Sequence, residues 1–210
     1  MDNAKLILNG QEYEFPTFAG SEGEVGIDFA ALRSQTKAIS YDPGYGNTGS
    51  CSSAITFING EKGILRYRGY PIEQVAENAS FVEVCYLLIY GDLPNREQLE
   101  SFQHDLTYHT MIHEDMKKFF EGFPPSAHPM AILASMVISL SAYYPGANDP
   151  ENIDLNIVRL LAKIKTLAAF AYKKSIGQPY VYPRNDLSYT ADFMHMMFAV
   201  PAEPYQVPDV

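Results

Sequence analysis

Two cations four residues apart, Arg159 and Lys163, are the side chains of this sequence best spaced to act on a ligand. Residues at i and i+4 of a helix share a face. A guanidinium and an ammonium placed so form either a solvated basic edge or a clamp on one anion, the first by paired N–H bonds and the second as a point charge. They belong to the densest cationic stretch of the chain, Arg159, Lys163, Lys165, Lys173 and Lys174. That stretch is too sparse for a nucleic-acid tract but could hold one small anion. His109 and His113, followed by Glu114 in the run HTMIHE, are also four apart. Two imidazoles on one helix face can share a metal. Here the glutamate does not follow the first histidine as in zinc proteases, and Asp105 is only a distant third ligand. They read as structural or ligand-contacting histidines, and no metal is expected.

The remaining chemical spacings are weaker. Gly44-x-Gly46-x-x-Gly49 matches a dinucleotide-binding loop, but that motif works only where a strand leads in and a helix starts among the glycines. A proline-containing loop precedes these glycines and a strand-like run follows, so they read as a loop entering a hairpin. His104 and His195 are lone histidines on helices, at the surface or hydrogen-bonded, and His128 before Pro129 marks a helix start. No Ser or Cys sits in a nucleophile elbow. Glu22 and Glu24 lie in a polar loop and read as solvated.

Residues 1–68 read as a small β-rich region. The runs 5–8 and 11–15 flank Asn9-Gly10, a two-residue hairpin signal because both turn positions need positive φ. The run 50–58, ending at Asn59-Gly60, with 63–67 suggests a second hairpin. A short helix is predicted over 27–34, and Asp42-Pro43-Gly44-Tyr45-Gly46 is a loop by composition. From Pro71 onward the period becomes helical. Pro71 suits a first helical position. Ser80 with Glu83 and Asn95 with Gln98 are capping boxes, and Gly91 can close the first of these helices in the left-handed conformation. Further helices are predicted over 112–120, 130–144, 153–172 and 189–198, with the proline-containing run 178–183 extended.

Composition bounds the rest. The 210 residues, 47% apolar, suffice for one large domain or two small ones. Charged residues are 19%, against roughly 25% in an average domain. With 15 tyrosines, this suggests much surface buried inside or against other subunits. A net charge of −10 repels duplex nucleic acid. Cys51 and Cys85 read as two buried reduced thiols. The N-terminus has no signal-peptide pattern, so a cytoplasmic location is expected. The longest apolar run, 130–144, falls short of the roughly 20 residues a spanning helix needs. In a cytoplasmic chain the sequon Asn78-Ala79-Ser80 is without meaning. The proline-bearing run 201–210 ends without a capping signal, as a cut chain would.

Several runs, in order, resemble the hexamer-forming, Gram-negative type of citrate synthase: DPGYGNTGSCSSAITFINGEKGILRYRGYPI at 42–72, FVEVCYLLIYGDLP at 81–94, HTMIHE at 109–114, AHPM at 127–130 and SIGQPYVYPRNDLSY at 175–189. The resemblance extends from Lys5 to the end and implies a mainly α, multi-helical fold with the small β-rich N-terminal region. Residues 69–210 would then be an incomplete helical part of the family's large domain. It implies a longer protein that condenses acetyl-CoA with oxaloacetate, working as a dimer-based hexamer. The family's catalytic His, Asp and Arg groups sit in later motifs of the kinds Gly-Pro-x-His-Gly-Gly and Gly-His-Arg-Val-Tyr, which do not occur here. No catalytic residue is therefore carried onto this chain, which is expected to be inactive alone. Alternatives are half of a 2-methylcitrate synthase, using propionyl-CoA, or a stand-alone assembly or regulatory module.

The resemblance also implies an allosteric nucleotide site, since some members of this type are inhibited by NADH. Matching positions are His109, Thr110, Met111, Tyr144, Arg159, Lys163, Gln178 and Asn185. Tyr108 stands where an Arg is expected and Ala202 where a Cys is expected. The site is thus expected to be vestigial or retuned, or else its residues merely pack a subunit interface. No cofactor is implied beyond acetyl-CoA as substrate of the whole enzyme and NADH as an allosteric ligand.

Overall fold

A computed structural model describes residues 3–208. Contacts divide the chain into two units, one ending at Ala54 and one beginning at Ile55. In the first unit, β1 (Ala4–Leu8) pairs antiparallel with β2 (Gln11–Phe15). Asn9 and Gly10 both take positive φ, 53° and 82°, as the hairpin turn demands. A second short pair, β3 (Thr17–Ala19) with β4 (Val25–Ile27), was not signalled by the sequence. Ile27, expected to open a helix, ends β4 instead. The backbone N–H of Asp28 donates to the Pro16 carbonyl, and the Asp28 carboxylate accepts from Ala30 N. The helix α1 then runs only over Leu32–Thr36. The loop at residues 42–46 is organised by Asp42, whose carboxylate accepts from the N–H groups of Gly46 and Asn47 and from the Thr48 hydroxyl. The three hydrogen bonds, that from Thr48 foremost, hold the carboxyl below its usual pKa. Gly44, Gly46 and Gly49 open no helix, so the dinucleotide spacing is without structural consequence.

The second unit opens with a three-stranded antiparallel sheet, β5 (Thr56–Asn59), β6 (Ile64–Tyr67) and β7 (Tyr70–Pro71). The predicted strand 50–58 is therefore strand only from Thr56. This sheet groups with the helices, because β6 and β7 pack on α2 (Ile72–Asn78) and Arg68 Nη2 donates to the Leu88 carbonyl at 2.7 Å. Pro71 caps α2 rather than starting it. Next comes α3 (Phe81–Tyr90), which has the full capping box of Ser80 and Glu83 and ends at Gly91 with φ 101°. Asn95 and Gln98 start α4 (Arg96–Tyr108) in the same way. Three helices follow before the C-terminal one. They are α5 (Met116–Glu121), α6 (Pro129–Ser139), which passes into a 3-10 turn at Leu140–Ala142, and α7 (Ile153–Ser175); α8 (Tyr189–Phe198) closes the set. Among the described residues no helix is long and apolar enough to cross a membrane.

The spine of this unit is α7, which packs on α4, α5, α6 and α8. Its first half contributes Val158 and Ala162 to a core with Val82, Phe102 and Leu106. Its second half contributes Leu167, Phe170 and Ala171 to a core with Ile112, Met116, Phe120, Ile132 and Met136. Fully burying one such large apolar side chain contributes about 1.5–3 kcal/mol. The buried alanines let neighbouring helices approach the backbone. A helix buried on so much of its circumference has little room for charge, yet α7 carries three buried lysines, Lys163, Lys165 and Lys173. Each must find a partner inside, and the partners of all three define the chemistry of the unit.

Candidate functional site

The α7 backbone projects Lys163 toward the connection between α4 and α5, with Arg159 one turn before it. Lys163 is 3% exposed, so the solvated-edge alternative does not hold for it. Its ammonium donates to the carbonyls of His109 at 2.5 Å and Met111 at 2.7 Å. One turn on, the Thr166 hydroxyl donates to the Thr110 carbonyl at 2.9 Å, and the Thr110 hydroxyl in turn donates to Leu106 O. Three successive carbonyls, 109 to 111, are thereby fixed to α7. The arrangement exists because α4 stops at Tyr108, with His109 as its C-cap, leaving these carbonyls without helical partners.

Tyr144 supplies an aromatic face to both cations: its ring centre lies 4.6 Å from Arg159 Cζ and 5.4 Å from Lys163 Nζ. Arg159 also reaches Asn156 Oδ1 at 3.3 Å, while its Nε is buried without a hydrogen-bond partner. Among the described residues no carboxylate pairs with Arg159 or Lys163. Burial, and then the neighbouring guanidinium, bring the Lys163 ammonium down to a pKa of about 8. Two cations thus share one ring with no counter-charge, an arrangement that an anion would relieve.

Of the eight sequence-predicted positions, the structure brings together six: His109, Thr110, Met111, Tyr144, Arg159 and Lys163. Gln178 lies elsewhere, accepting from Lys173 Nζ at 2.7 Å. Lys173 stands ten residues beyond Lys163, about 15 Å along the helix at 1.5 Å per residue. Asn185 lines a cavity of about 260 Å³ that Thr110, Lys165, Tyr189 and Asp192 also line. His109 and His113 do not share a helix face. His109 caps α4, and its Nδ1 lies 2.8 Å from Asp105 O. His113 instead accepts from Asp115 N and faces the Tyr143 ring. Among the described residues no group of histidine, cysteine and carboxylate side chains could hold a metal. Tyr108 is exposed and its ring packs tilted against His104, with centres 4.4 Å apart, and Ala202 is exposed. Both cysteines are free thiols as read, but neither is fully buried: Cys85 is half-buried and Cys51 is exposed.

Sequence reasoning missed a buried ion pair. Lys165 Nζ lies 2.5 Å from Asp192 Oδ2, with side chains 5% and 3% exposed. The other Asp192 oxygen accepts from Arg184 N at 2.7 Å. Tyr189 lays its ring 4.7 Å from Lys165 Nζ and donates its hydroxyl to Leu161 O. The signal was present in the sequence, since Lys165 interrupts an apolar helical stripe and Asp192 lies four residues after the Ser188 cap. Lys173, also missed, donates to Ala199 O as well as to Gln178.

Residues 44–208 match the family model described as "Citrate synthase, C-terminal domain". The chain belongs to the citrate synthase family. It is 50% identical over 208 residues to citrate synthase 1 of Mycobacterium tuberculosis, covering 98% of this chain and 48% of that protein. The chain thus spans about half the length of the curated relatives it matches. Two solved citrate synthases resemble it in fold. That of Thermotoga maritima has a TM-score of 0.64 and 28% identity over 76% of this chain and 42% of the other. That of Pyrobaculum aerophilum has a TM-score of 0.64 and 28% identity over 93% and 46%. The mostly helical citrate-synthase-like fold expected from the sequence is the one observed, with small antiparallel sheets at its start.

Proposed function

We propose that this chain is the N-terminal assembly and regulatory half of a cytoplasmic citrate synthase of the hexamer-forming type. The whole protein would condense acetyl-CoA with oxaloacetate, and the 210 residues alone would turn over neither. Support comes from family membership, from the order of the resembling runs and from a half-length overlap with curated relatives. Within the half, the Arg159–Lys163 pair over Tyr144 is a nucleotide pocket retuned away from NADH. The observation that carries this is that, among the described residues, the two cations have no counter-charge: one of them is 3% exposed, and they share an aromatic ring without a paired carboxylate. A diphosphate supplies the missing negative charge, and the exposed faces of Met111 and Tyr108 offer apolar contact to rings. Tyr108, in place of an arginine, removes one charge-assisted contact worth about 1.5–3 kcal/mol, or roughly 10- to 100-fold in affinity.

A thiol-release assay tests the first part. The 210-residue chain, made in a host lacking the enzyme, should release no CoA from acetyl-CoA and oxaloacetate. The protein extended to the length of its relatives should, and should prefer acetyl-CoA to propionyl-CoA. Turnover by the short chain would refute the division of labour, and preference for propionyl-CoA would refute the substrate.

A further inference from the structure

We propose that His195 is a proton-operated lock on the run that leaves α8: the neutral imidazole lets Tyr205 dock against the helix, and the imidazolium releases it. His195 stands in the last turn of α8 and is half-buried. Its Nδ1 is shut off from water and has no hydrogen-bond partner among the described residues. In the neutral ring this nitrogen can be the lone-pair atom, with the proton on Nε2. Protonation puts an N–H there with nothing to receive it, and a buried charged donor left unpaired is strongly disfavoured. The two carboxylates that act on the ring are already committed. Asp192 accepts from Lys165 and from Arg184 N. Asp186 accepts from Arg184 Nε at 3.0 Å and from its Nη2. Burial, and then the Arg184 guanidinium, hold the imidazole below its usual pKa against the pull of Asp192 and Asp186.

What the proton moves is the chain beyond the helix. The exit from α8 is itself pinned, since Ala199 N donates to the His195 carbonyl at 2.9 Å and the Ala199 carbonyl accepts from Lys173. Val200 then bridges to Glu203, and the chain brings the Tyr205 ring to His195, with centres 6.5 Å apart. Between 201 and 208 only Tyr205 and Val207 are half-buried, and the other residues, Glu203 included, are exposed. The docking of this run therefore rests on few side chains. Among the described residues the neighbouring helices offer the imidazolium no acid. The ionisable groups of α7 that reach α8 or its exit are Lys165 and Lys173, both already bonded, and Tyr172, whose ring meets Phe198. The α4 side chains that share a cavity with the start of α8 carry no ionisable group. The docked form thus binds a proton more weakly than the released one. Docking is fully favoured above the ordinary imidazole value of about 6.5 and is lost as pH falls below it.

Nuclear magnetic resonance of the 210-residue chain with ¹³C-labelled imidazoles, followed as pH is lowered, tests this. The chain has 5 histidines, and His195→Gln identifies the resonance of His195 by its loss. Should that variant not fold, replacing His104, His109, His113 and His128 one at a time identifies it by elimination. The deciding variant is Tyr205→Ala, which removes a ring from an otherwise exposed run. The expected result is a His195 midpoint below about 6.5 that Tyr205→Ala raises by about one pH unit; by reciprocity, protonation then weakens docking about tenfold. A midpoint at or above about 6.5 in the wild-type chain would overturn the lock, because the imidazolium would then be held and not expelled. A low midpoint that Tyr205→Ala leaves in place would overturn it too, since the proton would then be excluded by the helix packing and not by the run.

Discussion

Replacing Asp192 by alanine should destabilise the chain by about 3–5 kcal/mol, because it strands a buried cation. Lys165 has 5% of its side chain exposed, and its ammonium has Asp192 Oδ2 as its ion-pair partner at 2.5 Å. The ammonium would be left with no charged partner, although the Tyr189 ring at 4.7 Å would retain part of the cation's stabilisation. Losing the Arg184 N–H bond to Asp192 Oδ1 adds about 1 kcal/mol. The informative comparison is the double variant Lys165→Met with Asp192→Asn. Methionine fills the lysine's volume without charge, and the asparagine carbonyl can still accept from Arg184 N. Buried pairs replaced in this way are often neutral or stabilised, so the double variant should lie within about 1 kcal/mol of wild type. The Lys165→Met and Asp192→Asn singles should lose more than the double, giving a coupling of about 2–4 kcal/mol. Urea unfolding followed by circular dichroism at constant m-value measures all four proteins. Additive losses, with a double variant as weak as the sum of the singles, would refute the claim that this pair is a charge held by its partner.

The pocket's affinity should depend on pH in a set direction. The protonated Lys163 binds an anion and the neutral amine does not, while the diphosphate bridge of NADH keeps its charges at alkaline pH. With burial and Arg159 bringing the ammonium down to about 8, NADH affinity should be flat below that pH and fall as pH rises through it; titrations at pH 7, 8 and 9 that agree would contradict this. Tyr108→Arg should strengthen NADH binding about 10- to 100-fold, by the contact argued above, and calorimetry that finds no change would count against the retuned pocket. The exposed faces of α6 and α7 carry Met130, Ile138, Ile153 and Leu160, and apolar patches of this kind drive association. Light scattering at tens of micromolar, roughly the range where partly folded chains associate, should find the chain oligomeric, and a clean monomer would contradict that.

Local signals in the sequence were reliable where one turn of chain decides the conformation. Asn9-Gly10, the two capping boxes and Gly91 all behave as their chemistry requires. Boundaries moved where a side chain elsewhere had the deciding role. Asp28 ends a strand where a helix was predicted, and the helix predicted from 112 begins at Met116, because the preceding carbonyls are taken by Lys163 and Thr166. Arg159 and Lys163 were legible as a pair from their spacing, but the burial of Lys163 was not, since it depends on carbonyls more than fifty residues away. Lys165 and Asp192 are each legible as a charge in an apolar helical setting, but 27 residues separate them and nothing local identifies them as partners. All eight positions came from the resemblance, and spacing had singled out only Arg159, Lys163 and His109 among them; Gln178 stands apart from the cluster, while Asn185 shares a cavity with Thr110.

The most direct test of the account is calorimetric titration of NADH into the wild-type chain and into Arg159→Ala. The account predicts saturable binding in the high micromolar to millimolar range, abolished by the substitution while circular dichroism and thermal unfolding stay the same. Low-micromolar binding would contradict the retuning, and binding untouched by Arg159→Ala would contradict the pocket itself.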